Sequence, residues 1–220
     1  MGKPTRPLRV RRAALGRSVR LRASGCPAAA PSPDRLTEAL AQRAPRMATH
    51  HGAVAALAGR VGHGLGLGED DLHLVVRAAE LHDVGKVAVP DSILNKPGSL
   101  SDDELEVMRR HTVVGEAIIA AAAEPAPVAA MVRSSHERWD GSGYPDGLCG
   151  EDIPLGARII TICDAYDAMT HARPYRSARS VPDALDQLRR GAGRRYDPRL
   201  VAVFLAAAGA GRPGAAPRVP

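Results

Sequence analysis

Apolar positions recur through the middle of the chain with the three-and-four spacing of helices. Val54, Leu57, Val61 and Leu65 share one face and predict a helix over about 48–66. Asp70 and Asp71 cap the next, which carries Leu72, Val75, Val76 and Ala79 on one side. Ser101 with Glu104 forms a capping box, opening a helix through Leu105, Met108, Val114 and Ile118. Another helix is expected over about 125–136. Pro154 opens one that runs through Ile159, Ile160, Ile162, Tyr166 and Met169. Ser180-Val181-Pro182 and Asp197-Pro198 open the last two, and Ser32-Pro33 starts an early one reaching about Arg43. Strict alternation, the mark of a strand, is not convincing anywhere, and there is no internal repeat. The fold class is therefore all-α, a single helical bundle of about seven to nine helices.

Composition adds boundaries to this picture. At 220 residues the chain can bury one substantial core, and Ala, Leu and Val supply most of its apolar content. The longest apolar run, 200–208, falls well short of the roughly 18 residues that span a bilayer. No signal-peptide core is visible near the start, because arginines interrupt each apolar stretch. The net charge of +6 arises in the first 25 residues, which hold eight basic side chains and no acid, so the remainder is slightly acidic. Residues 1–33 read as a basic, low-complexity, disordered arm, 34–206 as the folded domain, and 207–220 as a disordered tail. The arm has no aromatic residue to stack on bases, so no nucleic acid polymer is expected as partner, and no membrane either. Three cysteines, Cys26, Cys149 and Cys163, without a paired spacing give no disulfide framework, which points to the reducing cytoplasm.

The candidate chemistry begins at Leu81-His82-Asp83-Val84-Gly85-Lys86. Adjacent His and Asp at the end of an apolar helix are costly to bury without a partner, and a divalent ion supplies one. His50 lies on the preceding helix, His111 on the capped helix that follows, and His136 at the end of the next. Asp164 sits inside an otherwise apolar helix, with Asp167 one turn later. Five helices thus offer imidazoles and carboxylates, which is how a bundle builds a metal centre. His51 is one step, about 100°, around the helix from His50 and is expected to face elsewhere. His63, His73 and His171 read as structural or solvent-facing. The loop SSHERWDGSGYPDG, 134–147, holds Trp139 and Tyr144, two of only six aromatic residues. Trp139 is expected to pack on the bundle and pin the loop, Tyr144 to face substrate or a partner, and Glu137, Arg138 and Asp140 to anchor the loop as ion pairs.

Several of these stretches, in this order, resemble one family. LHDVGK, PDSILNKPGSLSDDELEVMRRH, HERWDGSGYPDGL, IPLGARII and DAYDAMTHARPYR look like the HD-GYP domain family, within the HD superfamily of metal-dependent phosphohydrolases. The resemblance covers about 34–206. It implies a phosphodiesterase that opens the bacterial second messenger cyclic di-GMP to pGpG, or on to GMP, using water activated by two divalent ions. Fe or Mn is favoured for these; Ni, Co, Zn and Mg are alternatives. It implies that His50, His82, Asp83 and Asp164 hold the first ion, and that Asp83 bridges to a second held by His111 and His136. Lys86 would neutralise a phosphate oxygen, Asp167 would orient a ligand or move a proton, and Arg173, Arg176 and Tyr144 would contact the dinucleotide. The family's loop is linked to contacts with diguanylate cyclase (GGDEF) domains, so Gly143-Tyr144-Pro145 is the expected partner surface. This chain departs at Ser135, where the family has a second histidine, so the second ion's site is expected to be weakened. Arg46 stands where some members carry a glutamate for a third ion, so two ions are expected. Cys163 replaces a small residue and is expected to pack quietly. The alternative reading is a weak or inactive relative that binds nucleotide or protein.

Overall fold

Helix α1 (Pro45–Gly64) forms the spine on which the other elements assemble in this computed structural model. The structure describes residues 37–38, 45–172 and 177–210. The arm at 1–33, most of the early helix expected up to Arg43, and both Arg173 and Arg176 lie outside them. After α1 come α2 (Glu69–Leu81), a 3₁₀ turn (Val84–Ala88), α3 (Asp91–Leu94), α4 (Asp102–Arg109) and α5 (His111–Ala121). Then follow α6 (Ala126–Arg133), a second 3₁₀ turn (Gly150–Asp152), α7 (Leu155–Thr170), α8 (Val181–Gly191) and α9 (Pro198–Ala210). Among the described residues only isolated bridges, Asp140 with Cys149 and Ala192 with Tyr196, stand in for sheet. The all-α class read from the pattern holds, and α9 continues beyond the domain limit of 206 read from composition.

Local sequence accounts for most helix ends. Ser101 accepts from the Glu104 backbone while the Glu104 side chain reaches back to the Ser101 amide at 2.7 Å, a complete capping box. Ser180 caps α8 by accepting from the Asp183 amide, and Asp197 caps α9 by accepting from the Arg199 amide at 2.8 Å. The helix expected to run from Ser101 through Ile118 is instead two. Arg110 ends α4, and α5 restarts at His111 with its buried face at His111, Thr112, Gly115 and Ile119. No glycine or proline marks that break, so the sequence pattern runs straight through it.

The core joins Val54, Ala55, Ala58 and Val61 of α1 to Val75, Ala78, Ala79 and Leu81 of α2 and Ile159, Ile160, Ile162 and Cys163 of α7. Cys163 is fully buried there, as expected of a quiet packing residue. α1 lies against α2, α7 and α9, while α6 fills the space between α2, α5 and α7. The 3₁₀ turn after α2 rests directly on the start of α5. A Cβ on Gly85 would fall 1.9 Å from the His111 carbonyl oxygen and 2.6 Å from the Gly115 nitrogen. Gly85 is therefore required for close backbone approach, and that approach brings Asp83 beside His111.

Candidate metal centre and active site

His82 closes α2 and Asp83 opens the 3₁₀ turn, both almost fully buried. Three of the imidazoles in the vicinity, those of His50, His82 and His111, are aimed by a bond on the far side. His82 Nδ1 donates to the Ala79 carbonyl at 2.7 Å, and His111 Nδ1 donates to the Met108 carbonyl at 2.7 Å. A carbonyl can only accept, so both rings keep their proton on Nδ1 and present the Nε2 lone pair inward. His50 is held in the same way by a carboxylate: its Nδ1 lies 2.5 Å from Asp167 Oδ2, and its Nε2 faces Asp164 Oδ1 at 3.1 Å.

The inward nitrogens converge on Asp83. His82 Nε2 lies 3.6 Å from Asp83 Oδ2, and His111 Nε2 lies 3.5 Å from Oδ1. Lys86 Nζ makes the closest contact, 2.6 Å to Oδ2. Two sets of donors result, His50 with His82 and Asp83, and Asp83 with His111 and His136, each with its atoms within 4.8 Å of one another. Asp83 is common to both. Nε2 of His51, His82, His111 and His136 and Oδ1 of Asp83 are all buried and without a hydrogen-bond partner. Unpaired buried polar atoms are expensive, and their convergence on one point is what a cation would satisfy. Imidazole and carboxylate donors suit a first-row divalent ion, so the residues fit the group that the fold family implies.

The electrostatics prepare these donors. Burial lowers the pKa of His82 and of His111, and pushes His136 down to about 4, so all three are neutral at pH 7, the form that ligates. Burial works against the charge on Asp83, yet the Lys86 ammonium and the neighbouring imidazoles hold it well below the usual carboxylate range. His50 behaves in the opposite way. Burial opposes its charge, but Asp164 and Asp167 outweigh that and raise it to about 9. The metal-free centre thus holds an imidazolium between two carboxylates.

The loop after α6 closes over the second donor set. Glu137 is 2% exposed and accepts from the amides of Asp146 and Gly147 at 2.7 and 2.9 Å, which ties the loop shut. The reading of Glu137 as a loop anchor is right in role, but it works through backbone amides rather than an ion pair. A Cβ on Gly143 would sit 2.4 Å from the Arg138 nitrogen, so the turn needs glycine there. The Tyr144 ring stacks on His136, centroids 5.1 Å apart and planes 7° apart, with the Arg109 guanidinium 5.6 Å from the tyrosine centroid. Trp139 packs under the Arg158 guanidinium, and its backbone bonds the Arg195 carbonyl and the Gly150 amide, pinning the loop as expected.

The structure therefore brings together His50, His82, Asp83, His111, His136, Asp164, Lys86, Asp167 and Tyr144. Two further residues bear on the sequence reading, and of these only His51 differs from it. Ser135 is buried and its hydroxyl donates to the Val132 carbonyl at 2.8 Å, so it turns back on its own helix and offers the centre nothing. His51, expected to face elsewhere, is 4% exposed with Nε2 3.7 Å from Asp83 Oδ2. The signal was present: His51, Val54, Ala55 and Ala58 follow the spacing of the buried stripe of α1. His171 is largely exposed, though its Nδ1 reaches Asp167 Oδ1 at 2.9 Å.

Comparison with known proteins agrees with this arrangement. The HD domain family matches residues 34–200. The cyclic di-GMP phosphodiesterase response regulator RpfG of Xanthomonas campestris is 46% identical over 151 residues, 68% of this chain and 40% of the regulator. A cyclic di-GMP phosphodiesterase of Thermotoga maritima is 38% identical over 158 residues, 71% of this chain and 43% of its own length. Among solved structures, a cyclic GMP-AMP-specific phosphodiesterase of Vibrio cholerae shares the fold with a TM-score of 0.61 at 22% identity, over 79% of this chain and 47% of that one. The chain spans less than half the length of these curated relatives. With its HD dipeptide, its GYP loop and its helical fold, the chain belongs to the HD domain family, in the HD-GYP branch of metal-dependent phosphohydrolases.

Proposed function

We propose that the chain hydrolyses a phosphodiester bond of cyclic di-GMP, giving pGpG or GMP. The observation that carries this reading is the pair of buried donor sets sharing Asp83, with five inward polar atoms left without partners. The names of the relatives support the choice of substrate. His50, His82, Asp83 and Asp164 would hold one divalent ion, and Asp83, His111 and His136 a second. Fe or Mn is the preferred pair of metals. Bound there, the ions would supply Lewis acidity toward a phosphate oxygen and lower the pKa of a coordinated water.

The residues around them have separable tasks. Asp167 keeps the His50 proton on Nδ1 and so keeps its Nε2 directed inward. Lys86 is drawn to Asp83 in the metal-free protein and, on this reading, turns to a phosphate oxygen to stabilise charge that gathers on it. Tyr144 shields His136 from water and offers flat surface at the rim beside Arg109. Arg173 and Arg176 are assigned to the dinucleotide from their sequence positions alone. Because the Tyr144 ring is turned inward, contact with a diguanylate cyclase domain would fall on the exposed Ser142, Asp146 and Gly147. A cytoplasmic setting suits the free Cys149 and Cys163, and no helix among the described residues is long and apolar enough to cross a membrane.

The test is turnover of cyclic di-GMP by protein loaded anaerobically with Fe(II) or Mn(II), with metal counted on the same sample. Expected are about two ions per chain and a linear product in wild type, and neither in Asp83→Ala. Metal-loaded wild type that leaves the substrate intact, or Asp83→Ala that turns it over normally, would overturn the proposal.

A further inference from the structure

Of the four imidazoles in the two donor sets, His50, His82 and His111 are fixed by a bond on the far ring nitrogen. His136 has no such bond among the described residues, and its buried Nε2 is unpaired. What sets its ring is contact with other rings. Tyr144 lies flat on one face, centroids 5.1 Å and planes 7° apart, and His111 meets it edge to face at 4.9 Å and 77°. A stacked ring is fixed only while its partner is itself held in place.

Arg133 supplies that hold. It ends α6, three positions before His136, and its guanidinium grips Asp146, two positions after Tyr144. Nε and one Nη donate to the two Asp146 carboxylate oxygens at 2.7 and 2.8 Å, and the other Nη donates to Glu116 of α5 at 2.6 Å. A fork shared between two carboxylates is the geometry in which a partly exposed ion pair contributes most. One side chain thus ties together the helix of His111, the end of the helix that leads to His136, and the loop of Tyr144. The Tyr144 amide also donates to the His136 carbonyl at 3.3 Å, so the loop is pinned on both sides of the tyrosine. We propose that Arg133, acting through Asp146 and Tyr144, is a positioning residue that aims His136 at the second ion. Ser135 offers no donor there, so that ion relies on the aim of Asp83, His111 and His136. This inference rests on the cluster being a metal centre and not on the identity of the substrate.

The experiment compares wild type with Arg133→Gln and Asp146→Asn, which open the clasp from either side. Both side chains are partly exposed, so folded variants are expected. Arg190→Gln, which breaks a surface ion pair with Asp186 on α8, is the control for a lost charge. Co(II) affinity is followed by equilibrium dialysis. The His136 ring protons are followed by NMR in the metal-free protein, where the Tyr144 ring current acts on them. Expected in both clasp variants is a loss of roughly tenfold in affinity for one of the two ions, the low end of what an outer partner costs, with the other ion held as in wild type. The His136 resonances should move toward those of an unstacked imidazole, and Arg190→Gln should change neither readout. Unmoved His136 resonances overturn the proposal. So does an equal loss for both ions, which marks a general loosening of the fold. Moved resonances with unchanged affinity overturn it as well, because the ion itself would then aim the ring. Wild type that binds no Co(II) removes the metal centre, a separate failure that takes the proposal with it.

Discussion

His50 in the metal-free protein is an imidazolium between Asp164 and Asp167, and that proton links folding and metal binding to pH. Its pKa is about 9 in the fold against 6.5 in the unfolded chain. A raised pKa gives stability that is fully present below pH 6.5 and is lost as pH rises through 9. The amount is on the order of 3 kcal/mol. His82, His111 and His136 act in another window. Burial lowers their pKa values, so their contribution is present above pH 6.5 and is lost as pH falls below it, for His136 as pH falls through about 4. Chelated wild type should therefore lose stability between pH 6.5 and 9, whereas His50→Gln should be flat over that range. Urea unfolding of both proteins at several pH values checks this, and parallel curves above pH 6.5 would contradict it. The His50 position could be read from the chain but not its charge, because that depends on two carboxylates of α7, Asp164 and Asp167, closing on one ring from more than a hundred positions away.

At the scale of elements, the contact between the 3₁₀ turn and α5 decides whether the two donor sets share Asp83. Gly85→Ala would place a methyl 1.9 Å from the His111 carbonyl, a clash with backbone that no rotamer relieves. The expected cost is about 3 kcal/mol or more. If the variant still folds, the set containing His111 and His136 should lose its ion first, because the turn must lift off α5. Gly52→Ala is the control. It lies on α1 with nothing within 4 Å of the added carbon, and should be stabilising by about 0.5–1 kcal/mol. Denaturation midpoints together with Co(II) content read both effects; equal midpoints for the two variants would show that the contact is not needed. Capping signals made the helix starts at Ser101, Ser180 and Asp197 legible, since each side chain acts on amides only two or three residues away. The break at Arg110 and the reason for Gly85 were not legible, since both depend on what packs against the segment.

At the scale of the molecule, the donors come from α1, the end of α2, the start of α5, the turn after α6 and the middle of α7. Their types and order could be read from the chain, because burying His and Asp in apolar helices asks for a common partner. Their depth could not: a 100° step from His50 predicts that His51 faces elsewhere, yet α1 is covered by α2 and α7, so both residues are turned toward Asp83. Ions held by segments so far apart in sequence bind only the folded chain. Their binding energy then appears as folding stability, about 2.7 kcal/mol for one site at a hundredfold excess over Kd. For a chain of this size that corresponds to a rise in Tm of roughly 5–10 °C. Wild type melted with a chelator and then with saturating Mn(II) should show this rise, and Asp83→Ala should not, since it removes the donor common to both sets. The variant also removes the ion pair with Lys86, so its own chelated Tm is the reference for its shift. An equal rise in Asp83→Ala would mean that the stabilising ions bind away from this cluster.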